Sequence, residues 1–139
     1  MVERDFQTLF LKWLRHQKTL KSGAFELKLT KKESLPFKAL SPHQLEALRA
    51  VKHTELAYKI ADDSIGYKPF DCFLLKDAPA FIVVSFYKRG EKKFYMIDVD
   101  VWDKEILSSS RESITRERAE EIGLTCLLNK VGCTQKETA

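Results

Sequence analysis

The sequence predicts an α+β domain, a β-sheet with helices packed on it, and three observations lead there. An amphipathic helical period opens the chain, an alternating strand and a capped helix follow, and three β-branched and aromatic runs come next in close succession. With 139 residues, 44% of them apolar and 32% charged, the chain suits one domain with one hydrophobic core.

The elements follow in order. In VERDFQTLFLKWLRHQ, Phe6, Leu9, Phe10, Trp13 and Leu14 recur at spacings of three and four, which predicts a helix with Glu3 in its first turn. In AFELKLT, Phe25, Leu27 and Leu29 fall on one strand face and Glu26, Lys28 and Thr30 on the other. Ser41 as N-cap and Pro42 at the first helical position start a second helix, with Leu45, Leu48 and Val51 at helical spacing. ADDSIGYKP is a turn-rich connector, and a short strand fits just before it around Tyr58 to Ile60. FDCFLL, AFIVVSFY and KFYMIDVDVW read as consecutive strands, the last two forming a hairpin through Arg89-Gly90-Glu91. SITRERAEEIG is a short helix capped by Ser113 or Thr115 and closed by Gly123, and the tail from about residue 124 has little pattern. No repeat, low-complexity segment or linker divides the chain, so residues 1–139 are expected to form a single domain.

Composition narrows the function classes. No apolar run approaches the roughly 20 residues of a membrane helix, and the N-terminus lacks a basic and then apolar leader, so a soluble, intracellular (cytoplasmic) protein without a membrane partner is expected. Cys72, Cys126 and Cys133 are odd in number and without CxxC spacing, which suggests reduced thiols rather than a disulfide framework or a zinc site. Charge is unevenly placed. Residues 1–60 hold 12 Lys/Arg against 6 Asp/Glu, a net +6, whereas residues 61–139 hold 12 against 14, a net −2. Lys18, Lys21, Lys31, Lys32 and Lys38 surround the alternating strand, as a surface tracking phosphates requires, though a solvated basic loop has the same composition.

That strand raises the chemical question. Glu26 and Lys28 lie on one face, about 6 to 7 Å apart along the backbone, and can converge on one ion or phosphate. A carboxylate holds a hard divalent cation, and a neighbouring ammonium orients water or stabilises phosphate charge, which is the division of labour in phosphodiester hydrolysis. An exposed pair on an ordinary sheet has the same spacing. A metal site wants a second carboxylate, for which Asp71, after the Lys68-Pro69 bend, is the candidate; a turn aspartate is the alternative. Gln44 completes a capping box with Ser41. His16, His43 and His53 lack metal-ligand spacing and read as surface or phosphate-contacting residues.

Glu3, FELK, LPFKALSPHQLEAL, KPFDCFLL and AFIVVSFY together resemble the PD-(D/E)XK nuclease superfamily, and within it the RecU-like and Hjc-like Holliday junction resolvases, over about residues 2–102. The most specific part is FE-x-K, a basic loop, LPF, then HQ opening a helix. The resemblance implies a restriction-endonuclease-like fold, a mixed central β-sheet flanked by helices, and dimeric, Mg²⁺-dependent (or Mn²⁺-dependent) cleavage of branched DNA. It implies that Glu26 and Asp71 bind metal, Lys28 positions the attacking water, and Gln44 and Glu3 complete the site. DNA contacts are then expected from Lys18, Lys21, Lys31, Lys32, Lys38, His43 and Lys68. One feature departs from the pattern: the superfamily's aspartate usually precedes E-x-K by a dozen or so residues, but residues 14–25 contain no Asp, and Asp71 follows Glu26 by 45 positions. Three functions therefore stand side by side: a structure-selective DNA endonuclease, a catalytically silent DNA-binding accessory protein, and an interaction domain whose Phe94 and Tyr95 face a partner.

Overall fold

A computed structural model describes residues 1–20, 22–61 and 68–136. Lys21, and Asp62 to Tyr67 of the connector, lie outside the described residues. The chain is α+β, with four α-helices and a five-stranded mixed sheet among the described residues. Helix α1 (Glu3–Arg15) leads to β1 (Ala24–Thr30), a short β2 (Ser34–Pro36), a 3-10 turn (Phe37–Ala39) and α2 (Pro42–His53). Then come β3 (Glu55–Lys59), β4 (Cys72–Lys76), β5 (Ala80–Phe86), β6 (Lys93–Asp98) and α3 (Val99–Ser108). The chain continues through β7 (Ser113–Thr115), α4 (Arg116–Ile122), β8 (Leu124–Leu127) and β9 (Cys133–Gln135).

The main sheet runs in the order β1-β5-β6-β8-β9, with β1 parallel to β5 and the other pairs antiparallel. Its alternating side chains feed two cores. On one face Phe25, Leu27, Leu29, Val83 and Phe94 pack against Phe6, Phe10 and Trp13 of α1. The aromatic rings meet edge-on or stacked, as at Phe6–Phe94 (6.0 Å) and Phe10–Trp13 (5.6 Å). On the other face Ile82, Val84, Tyr95 and Ile97 pack beneath α2, α3 and α4. Strand β5 is covered on both sides, which explains its nearly unbroken apolar run.

Four expectations are corrected. KFYMIDVDVW is not one strand: the Asp98 carboxylate accepts from the Asp100 N–H at 2.9 Å and starts α3, whose Val99, Trp102 and Glu105 are buried three residues apart. The Ile97, Val99, Val101 alternation concealed that helical period. The tail is not patternless, because β8 pairs with β6 and carries β9 at the sheet edge. Cys126 and Cys133 stand directly opposite in that last hairpin, Cα atoms 4.5 Å apart, and form a disulfide, leaving Cys72 as the free thiol. Seven residues of separation are enough for a tight hairpin to bring two thiols together, and spacing rules for long-range frameworks do not test for this. Phe94 and Tyr95 are core residues at 0% and 2% exposure, so neither can face a partner.

Candidate functional site

Strand alternation turns Glu26 and Lys28 to the α2 face, where they align in register with Ile82 and Val84 of β5. The N-terminus of α2 meets them there. Ser41 Oγ accepts from the Gln44 N–H at 3.2 Å, and the Ser41 N–H donates to Gln44 Oε1 at 3.0 Å, completing the capping box. A backbone N–H can only donate, so this bond fixes the amide oxygen and leaves Nε2 to donate elsewhere. It donates to Glu26 Oε1 at 2.9 Å. The cap of α2 and the hold on Glu26 are therefore one arrangement in Gln44.

Lys28 Nζ lies 3.4 Å from the same Glu26 oxygen. The lysine side chain is 16% exposed and the glutamate 29%. Both contacts meet Oε1, and among the described residues no hydrogen bond reaches Oε2. A groove of about 310 Å³ opens beside it, lined by Ala24, Phe25, Glu26, His43, Gln44 and Leu48, with Leu56 of β3 on its wall. The arrangement offers a carboxylate hydrogen-bonded through one oxygen, an ammonium beside it and an imidazole at the rim.

The remaining expected site residues lie elsewhere. Strand β4, which Asp71 precedes, pairs with β3 in a separate two-stranded sheet, whereas β1 has β5 as its neighbour. The Asp71 carboxylate is 86% exposed and pairs with Lys68 Nζ at 3.2 Å. Pairing of residues 55–59 with 72–76 thus takes the strand after Asp71 away from that of Glu26, and the two do not form the neighbouring pair that a shared metal site would need. Glu3 is in the first turn of α1, and α1 covers the sheet face opposite Glu26. Lys18, Lys31, Lys32 and Lys38 are exposed, and Lys31 and Lys32 follow directly on β1.

A second polar cluster was not anticipated. Lys52, at the end of α2, bonds both oxygens of Asp98 (2.7 and 2.8 Å) and pairs with Asp100 at 2.6 Å, while His53 Nε2 meets Asp100 Oδ1 at 2.7 Å. The Lys52 bond, followed by that of His53, holds the Asp100 carboxyl below its usual range. Burial opposes the Lys52 charge, but the Asp100 and Asp98 bonds outweigh it and raise the lysine. The acids at 98 and 100 were the available signal, but only the packing of α2 against α3 pairs them with Lys52 and His53. A larger cavity, about 400 Å³, lies between α3 and α4, where Arg118 pairs with Glu105 and Glu121.

Among the described residues no three His, Cys, Asp or Glu side chains gather into a metal-binding group, and no helix is long and apolar enough to cross a membrane. Comparison with protein-family models, curated proteins and solved structures finds no match.

Proposed function

We propose that this chain is a structure-selective DNA endonuclease of restriction-endonuclease-like fold, with four-way junction DNA as the first substrate to test. The observation that carries this reading is the convergence of Gln44 and Lys28 on Glu26, whose side chain lines a groove with Gln44 and His43. Glu26 would hold Mg²⁺ or Mn²⁺ through Oε2, because magnesium needs only one or two protein carboxylates and fills its other positions with water and substrate phosphate. The ion would supply Lewis-acid polarisation of the phosphate. Gln44 orients the Glu26 carboxylate. Lys28, beside it, supplies a proton donor and positive charge for an attacking water or for the phosphoryl oxygens. His43 and the lysines after β1 would meet the flanking phosphates. Symmetric cleavage of a junction requires two sites, which a two-fold homodimer provides.

A second reading, a catalytically silent DNA-binding accessory protein, is favoured by the position of Asp71 on a separate hairpin, which leaves Glu26 as the carboxylate in the groove. Labelled four-way junction, duplex and single-stranded DNA incubated with the protein in Mg²⁺ and in EDTA separate the two. On the first reading the junction is cut only with Mg²⁺, and Glu26→Gln abolishes cleavage while binding survives. Full activity of Glu26→Gln removes Glu26 from the site. Junction binding without cleavage in either Mg²⁺ or Mn²⁺ selects the accessory role.

A further inference from the structure

Strand β1 closes one edge of the five-stranded sheet, and all seven of its residues are half-buried. Its hydrogen-bonding parity is fixed by its ends. Ala24 N donates to Pro79 O at 2.9 Å and Thr30 O accepts from Tyr87 N at 2.8 Å, so the even-numbered residues turn their peptide groups toward β5. The N–H and C=O groups of Phe25, Leu27 and Leu29 therefore point outward, and among the described residues no other strand pairs with that side. The strand contains no proline, and β1 pairs with β5 residue for residue without a bulge. Such an edge is a template for another strand.

Its sequence says which strand. AFELKLT set antiparallel to itself about Leu27 places Leu27 on Leu27, Phe25 on Leu29 and Ala24 on Thr30. Glu26 then falls on Lys28 in both directions. The residues with outward peptide groups, 25, 27 and 29, become the hydrogen-bonded pairs. The charged residues become the non-hydrogen-bonded pairs, whose Cα atoms approach to about 4.5 Å and whose side chains are closest. On the α1 face the two apolar rows become continuous. On the α2 face each Glu26 gains the second copy's Lys28 in addition to its own at 3.4 Å, closing a ring of alternating charge. Shifting the register by one residue breaks the charge match and puts apolar against charged side chains.

We infer that β1 pairs antiparallel with β1 of a second copy about a two-fold axis at Leu27, joining two five-stranded sheets into one and setting Glu26 of each copy opposite Lys28 of the other. The inference needs no DNA and stands apart from the nuclease reading, although it would set two Glu26 grooves side by side.

Sedimentation of the full chain, with amide hydrogen exchange, tests it. The native protein is expected at twice 16.1 kDa, with the Phe25, Leu27 and Leu29 amides protected. Lys28→Glu, which opposes two acids in both directions, should sediment at 16.1 kDa and free those amides, while the charge swap E26K/K28E should dimerise again. Far-UV circular dichroism establishes that each variant is folded. If a variant unfolds, amide exchange in the native chain decides. A native monomer, rapid exchange at those three amides, a Lys28→Glu dimer or a folded swap that stays monomeric would each overturn the pairing.

Discussion

Gln44 bonds two groups that need opposite chemistry. Its oxygen satisfies the Ser41 N–H that α2 leaves open, and its nitrogen holds Glu26 at 2.9 Å. Gln44→Ala should lose both and destabilise the fold by about 1 to 2 kcal/mol, a loss of ordinary part-buried hydrogen bonds. Gln44→Glu keeps an acceptor for the cap but brings a carboxylate to Glu26. It should retain more of the helix's stability while disturbing the groove. Urea midpoints of the two variants check this; equal losses would mean that the cap contributes nothing separable. At this scale the sequence was informative, since the capping box and the shared face of Glu26 and Lys28 are local patterns. That Gln44 serves both the cap and Glu26 was not legible, because which nitrogen or oxygen points where depends on the bond with Ser41. Asp71 shows the limit: a carboxylate opening an apolar run reads alike whether its strand joins β1 or β3.

Among the elements, α2 and α3 are fastened by charge where their ends meet. Arg49 grips Asp103 with two bonds of 2.7 and 2.8 Å, and Lys52 and His53 converge on Asp100. The folded Asp100 carboxyl titrates below its unfolded value, first because of Lys52 and then His53. A depressed carboxylate contributes stability above its unfolded pKa, near 4, and that stability is lost as pH falls through the lower folded value. Asp100→Asn should therefore weaken the protein at neutral pH and flatten its stability profile below about pH 4. Thermal unfolding across pH 2 to 7 measures both; an unchanged acid slope would mean that the clasp does not contribute to acid sensitivity. Strong periods made α1, β1 and α2 readable. Helix α3 and strand β8 were hidden for different reasons. In the first, strand-like alternation runs into a helix through an aspartate cap. The four-residue β8 carries too short a pattern to be seen without β6 beside it.

Over the whole molecule, the +6 of residues 1–60 meets the −2 of the remainder on one folded body, and the topology concentrates part of that charge. Parallel pairing places the ends of β1 and β5 side by side, where Tyr87 N donates to Thr30 O at 2.8 Å. Lys31 and Lys32 thereby stand next to Lys88 and Arg89, a proximity the linear sequence conceals across more than fifty positions. The acid in this region is already committed: Glu33 pairs with Lys88 at 2.6 Å and with Arg116 at 3.6 Å. Lys31, Lys32 and Arg89 have no ion pair among the described residues, so their charge is available to a polyanion. If this end of the sheet receives the DNA backbone, each lysine that meets a phosphate releases condensed counterions. Removing it should then lower the slope of log K against log salt by about 0.9. Replacing Lys31, Lys32 and Lys38 together by alanine should reduce the junction-binding slope by up to about 3 and weaken binding most at low salt. Titration of labelled junction at several salt concentrations gives that slope directly. A native-like slope in the triple variant would show these lysines to be solvated bystanders and place the phosphate contacts on another face.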